Sequence, residues 1–152
     1  GAQTTSFPQP YIGIWKGTLE IYNNGGKVVN TVPMELHIKT IESERFSWKT
    51  IYNNTDVRDY ELVIIDAAKG KYQIDEKNGI VLDLRLFGSK SFTCFEVDGY
   101  LIYDSYTFSK DEIVFELTSS APEAITKSGS NEQTVTSYGQ IAYQKAVLKR
   151  IK

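Results

Sequence analysis

The sequence predicts an all-β fold, an antiparallel up-and-down barrel of about ten strands, and three observations predict it. Apolar and polar residues alternate with period two through nearly the whole chain. Turn pairs such as Asn78-Gly79 and Asp98-Gly99 punctuate that alternation at short intervals. No segment keeps the apolar spacing of three and four that an amphipathic helix needs. A chain of 152 residues is the size of one ordinary domain. Its expected organisation is a disordered leader over residues 1–10 and a single barrel domain over residues 11–152.

The first strand, within "PYIGIWKGTLEIY" (residues 10–22), sets Trp15, Leu19 and Ile21 on one face and Lys16, Thr18 and Glu20 on the other. "NNGG" at Asn23 to Gly26 turns the chain. A second strand, about 28 to 39, directs Met34, Leu36 and Ile38 inward and Glu35, His37 and Lys39 outward. A third, about 44 to 53, alternates Phe46, Trp48, Thr50 and Tyr52 on its inner face, and a fourth runs from Arg58 to about Ala68. Three hairpins follow, turning at Asn78-Gly79, a pair that supplies the positive φ angles of a tight turn, at Asp98-Gly99 and around Lys110-Asp111. Residues 119–133, "SSAPEAITKSGSNEQ", break the rhythm and read as the one long loop. A strand from about Thr134 to Ile151 completes the set; a C-terminal helix over "IAYQKAVLKRI" is the competing reading.

An antiparallel meander of this kind has two edges to hide, and closing into a barrel removes both. Ten strands exceed the roughly eight whose interior side chains can just fill the space, so a cavity is expected. Strand parity brings Leu148, Arg150 and Ile151 to the same end as Gly13 and Trp15. The opposite rim collects Asn23 to Gly26, Asn53 to Val57, Lys77 to Gly79, Asp98-Gly99 and the loop 119–133.

Gly13-x-Trp15 on a first strand resembles the signature of the lipocalins and the wider calycin group. The resemblance implies a Trp that plugs the closed end of the barrel and a last-strand Arg packed across it, here Trp15 and Arg150. Gly13-x-Trp15-x-Gly17 is also similar to the pattern of the nitrobindin-type barrels, which have ten strands and bind haem through a late-strand His. The sole histidine here is His37, on the second strand, and no cofactor is expected.

Composition excludes several function classes. A net charge of −2 leaves no basic footprint for nucleic acid. Lys127, Lys145, Lys149, Arg150 and Lys152 face only Glu132 in the last segment, but they spread along a strand and read as a solvated face. The longest aliphatic run, Leu62 to Ile65, is far short of the roughly 20 residues of a bilayer-spanning helix. Cys94 is alone and reads as a small packed residue, so an internal disulfide and CxxC or Cys/His zinc sites are excluded. Gly1 looks like a remnant of tag cleavage. The polar run "AQTTSFPQP" behind it suits the start of an exported chain, so an extracytoplasmic location, periplasmic, surface or secreted, is expected.

Candidate chemistry is sparse. His37 between Leu36 and Ile38 should point outward, without the converging ligands a metal needs. Asp75, Glu76 and Asp83 flank a tight turn and read as turn residues, with Asp83 and Arg85 an exposed pair. The aromatic set carries more: ten Tyr, seven Phe and two Trp exceed what turns require. Trp48, Tyr52 and Tyr60 fall on inward faces, and Tyr52 and Tyr60 straddle the turn at the open rim with Arg58. These four form the candidate binding site for a small ligand with an apolar or planar body and an anionic end. Gly13, Trp15 and Arg150 form the structural closure.

The expected function is therefore non-enzymatic binding of a small, largely hydrophobic ligand inside the barrel. Two alternatives stand beside it. One is a surface interaction module with a filled barrel, which a cavity smaller than about 300 Å3 would favour. The other is a calycin-type isomerase or cyclase built on a buried titratable residue, for which Asp66 in "LVIIDAA" is the starting point.

Overall fold

A computed structural model describes residues 6–152. Ten antiparallel strands close into one barrel: β1 (Gly13–Tyr22), β2 (Val28–Glu42), β3 (Arg45–Tyr52), β4 (Asp56–Asp66), β5 (Lys71–Asp75), β6 (Val81–Phe87), β7 (Lys90–Val97), β8 (Tyr100–Phe108), β9 (Glu112–Gly129) and β10 (Thr134–Arg150). Each strand pairs with its sequence neighbours, and β1 pairs with β10 to close the ring. The expected architecture is thus observed, and the competing C-terminal helix is not: the last segment pairs with both β1 and β9. Alternation explains the burial directly, since Trp15, Leu19, Met34, Leu36, Ile38, Phe46, Trp48 and Leu62 all turn into the core.

The base of the barrel is closed as the parity argument requires. Register sets Trp15 opposite Arg150, and the guanidinium carbon lies 4.2 Å from the indole ring centre. Arg150 also donates to the carbonyls of Pro10 (2.7 Å), Ile12 (2.9 Å) and Lys110 (3.2 Å). The Trp15 indole donates to the Tyr11 carbonyl at 2.9 Å. A planar fork over a buried ring thereby ties the chain entry, the β8–β9 turn and the last strand together. Both glycines flanking the indole are required. A Cβ at Gly13 (φ +149°) would come 2.2 Å from the Lys152 carbonyl oxygen, and one at Gly17 would come 2.0 Å from that of Val147.

Three expectations are corrected here. The first concerns the leader: residues 1–5 lie outside the described residues, but Phe7 is buried at the base, edge-on to Tyr72 and Phe108 with centroids 5.1 Å away. Burial of Phe7 acts together with the Arg150 bonds to Pro10 and Ile12 and the Trp15 bond to Tyr11 to hold this segment, so the barrel's core begins at Phe7 rather than after residue 10. The second concerns residues 119–133, which are strand and turn rather than loop. β9 and β10 outgrow the wall and pair with each other from Thr134↔Gly129 to Tyr138↔Ile125, forming a two-stranded ribbon beyond the rim. β8 stops pairing at Ser120, and register shifts near Gln140 bend the ribbon where Pro122 meets the turn glycine Gly99. The third is local: in the β5–β6 turn, positive φ falls on Lys77 and Gly79, not Asn78, whose side chain accepts from the Ile80 amide instead.

Candidate functional site

Strand direction divides the interior into layers. β3 runs from base to rim and β8 from rim to base. The two strands stand five places apart around the ring in either direction, so they face each other across the lumen. Trp48 of β3 and Tyr106 of β8 meet there at 5.5 Å and 90°. Below them Phe7, Tyr72 and Phe108 fill the lumen. Above them the next inward residues, Thr50 and Asp104, line a cavity of about 150 Å3.

All four residues of the sequence-derived site line this cavity: Trp48 in its floor, Tyr52, Arg58 and Tyr60 toward its mouth. Leu82, Leu84, Phe95, Phe115 and Leu117 supply most of the apolar wall. Arg58 is half-exposed at the mouth, where its guanidinium lies 4.9 Å from the Tyr52 ring centre and donates to Asp56 at 3.1 Å. The expected anionic-ligand partner is therefore already engaged by a carboxylate. The volume is half of what a drug-sized ligand needs, because aromatic rings occupy the lower lumen.

Sequence reasoning missed Asp104. It follows Ile102 and precedes Tyr106 and Phe108 at period two in "YLIYDSYTF", and that parity was the available signal. Burial pushes its carboxyl up to about 6, opposed by a hydrogen bond from the Thr93 hydroxyl on the paired strand β7. The Thr50 hydroxyl, buried in the same layer, makes no well-formed hydrogen bond among the described residues; its polar neighbour is the Tyr52 phenol. Burial likewise raises the phenols of Tyr52 and Tyr106, the latter well above its usual value, while the charge of Arg58 works against the rise at Tyr52. Burial and then Glu76 raise Tyr60. Glu76, read from sequence as turn dressing, lines the cavity mouth instead, because it continues the inward parity of Tyr72 and Ile74.

Other candidates fall away from the site. His37 lies on the outer face, 2.8 Å from Glu35. Asp66 caps a 3-10 turn by accepting from the Lys69 amide, outside the cavity. Asp83 and Arg85 do not pair: Asp83 accepts from Gln73, while Arg85 reaches the Lys69 carbonyl and stands over Phe87. Cys94 is exposed on the outer face, because the parity that buries Thr93 turns it outward. Asp75 joins Glu61 around Arg45 on the outside of the wall. Among the described residues no group of three or more His, Cys, Asp or Glu gathers as for a metal ion, and no helix is long and apolar enough to cross a membrane.

The sequence matches no protein-family model and no curated protein. Solved structures do share the fold. A protein of unknown function of the DUF3598 family from Nostoc punctiforme superposes with a TM-score of 0.69 at 11% identity, over 94% of this chain and 48% of that one. This chain thus spans about half the length of that relative. An S-type phycobiliprotein lyase from Guillardia theta gives 0.59 at 12% identity, over 95% and 90% of the two chains. The zebrafish ileal bile acid-binding protein, complexed with cholic acid, gives 0.50 at 12% identity, over 93% and 99%. At these identities the likeness establishes the fold, a calycin-like barrel.

Proposed function

We propose that this calycin-like barrel is a binding protein for a small, largely apolar, planar ligand held in the upper lumen, with no chemistry of its own. One observation carries the reading: Trp48, Tyr52, Arg58 and Tyr60, chosen on strand parity, converge with Asp104 on a single cavity. The bile acid-binding barrel, complexed with cholic acid, lends the fold a precedent for a small organic ligand. Size narrows the class. A cavity of about 150 Å3 takes one benzene-sized ring. Anything as large as a bile acid would have to displace aromatic side chains from the lower lumen.

The rim tests this directly. Tyr60→Ala and Arg58→Ala remove one wall of the mouth while leaving the buried core intact. Each should weaken binding of benzyl alcohol, followed by Trp fluorescence, several-fold, the scale of about 1 kcal/mol for a lost aromatic contact. Thermal unfolding should stay within a few degrees. Unchanged affinity in both variants would remove the site assignment.

A second reading is supported by the same small volume, which meets the criterion for a filled barrel whose outer surface binds. The β9–β10 ribbon exposes Ile125, Val135 and Tyr138, and a two-stranded ribbon alone is marginal in water. If shortening the ribbon across residues 123–137 abolishes a pull-down partner that cavity variants leave bound, this reading replaces the first. The isomerase or cyclase reading loses Asp66 and would have to rest on Asp104. Catalytic turnover abolished in Asp104→Asn would establish it.

A further inference from the structure

The cavity wall carries more polarity than an apolar ligand requires, and its arrangement is specific. Asp104 and Thr50 sit in one layer on opposite sides of the lumen, directly above the Trp48–Tyr106 contact. The Thr93 hydroxyl occupies Oδ1 of Asp104, and no hydrogen bond from the described residues reaches Oδ2. No cation among the described residues compensates this carboxyl; the one basic residue lining the cavity, Arg58, is held by Asp56 at the mouth. Thr50 presents a buried hydroxyl that makes no well-formed hydrogen bond among the described residues, with the Tyr52 phenol as its polar neighbour. A carboxylate with one oxygen free and a buried hydroxyl thus line one cavity with aromatic walls, and a buried polar atom without a partner is rare in folded proteins.

We propose that the ligand's polar end is a protonated amine, seated between the Asp104 carboxylate and the Thr50 hydroxyl with its ring-sized apolar body toward the mouth. This rests on the reading of the cavity as a ligand site and names the chemical class that site takes. An ammonium group has three N–H donors. One goes to the free Asp104 oxygen and one to the Thr50 oxygen. The rings of Trp48 and Tyr106, edge to face, form the floor below it. A carboxylate end would share the cavity with Asp104 and Glu76 and gain only an Arg58 that already has a partner. The cavity's own charges thus discriminate against anions.

The groups facing Asp104 decide the pH behaviour. They are Thr93 on β7, Tyr106 on its own strand, Tyr52 on β3, Arg58 and Tyr60 on β4 and Glu76 beyond β5; β9 contributes only Phe115 and Leu117. The carboxyl of Asp104, raised to about 6 by burial, gains a proton between neutral pH and pH 5. Protonation removes the charge that holds the ammonium, so amine affinity should fall as pH drops through this range.

The experiment compares benzylamine with benzyl alcohol, by calorimetric titration of the wild type, Asp104→Asn and Thr50→Val at pH 7.5 and pH 5. Benzylamine should bind the wild type at least tenfold more tightly than benzyl alcohol at pH 7.5. That preference should shrink several-fold at pH 5, vanish at both pH values in Asp104→Asn, and weaken several-fold in Thr50→Val. Equal binding of the two probes, or an amine preference that survives Asp104→Asn, overturns the ammonium seat while leaving the cavity as a ligand site. Binding of neither probe overturns both readings. Tighter binding of benzyl alcohol at pH 5 also overturns the seat, since it identifies Asp104 as a protonated donor.

Discussion

Replacing Asp104 by Asn should make this barrel more stable at neutral pH, and by an amount that depends on pH in a defined direction. Burial raises the folded-state carboxyl from the usual 3.8 to about 6, so the folded protein holds a proton that the unfolded chain has already released. Below the unfolded value both states are protonated and the buried carboxyl costs nothing. As pH rises through the folded value, stability is lost, and above it the full cost stands. About 1.4 kcal/mol for each pH unit makes this about 3 kcal/mol. Asp104 is partly open to the cavity, and water there softens the figure to about 1–3 kcal/mol. Asparagine keeps the shape and an acceptor for the Thr93 hydroxyl but carries no charge. The variant should therefore match the wild type near pH 4 and exceed it by about 1–3 kcal/mol at pH 7.5, or roughly 2–12 °C in midpoint for a chain of this size. Urea unfolding of both proteins across pH 4 to 8 reads the difference directly. Other carboxylates, such as Asp75, held low by the Lys77 amide and then by Arg45, titrate in both proteins and cancel. A difference independent of pH, or a variant less stable at pH 7.5, would refute the reasoning. A residue that destabilises its own fold at neutral pH is common in functional sites, where stability is given up for a group that a ligand needs.

Further outcomes follow from the base of the barrel. Trp15→Ala removes a fully buried indole and the stacking partner of Arg150; it should cost about 3–5 kcal/mol by chemical unfolding. Gly17→Ala should destabilise although it adds only a methyl group, because that methyl would stand 2.0 Å from the Val147 carbonyl and must push β10 off β1; a neutral result would contradict the register of that pair. Phe7→Ala should cost a similar 3–5 kcal/mol and enlarge the lumen from below. Binding of a two-ring probe such as naphthylmethylamine, undetectable in the wild type, should then appear by calorimetry. A Phe7→Ala protein of unchanged stability would remove Phe7 from the core.

Much of this molecule was readable before any coordinates. Local alternation dictates that these segments are strands, and short turns dictate that neighbours pair, so the meander and its closure follow from nearest-neighbour rules alone. Parity then placed Trp15 beside Arg150 and put Trp48, Tyr52, Arg58 and Tyr60 on the inner face, since those inferences need only counting by twos. The same counting would have reached Asp104 through Ile102, Tyr106 and Phe108, but an acid within an apolar face reads as an exception until its surroundings are known.

What only tertiary structure decided depends on distance through space. Which strands stand opposite each other, and hence that Thr50 and Asp104 share one layer, follows from the circumference of the closed ring. How much room remains depends on close packing of side chains from every strand and on Phe7, which enters from outside the strand pattern and fills the lower lumen. Residues 119–133 show the same limit. Their Ser, Pro and Gly content weakens the local strand signal, yet β9 and β10 each offer the other a full hydrogen-bonding edge, and pairing carries both strands past the barrel rim. The alternation in the sequence is sufficient to specify the container. Its capacity and the charge at its centre arise from packing across the lumen, which no single segment encodes.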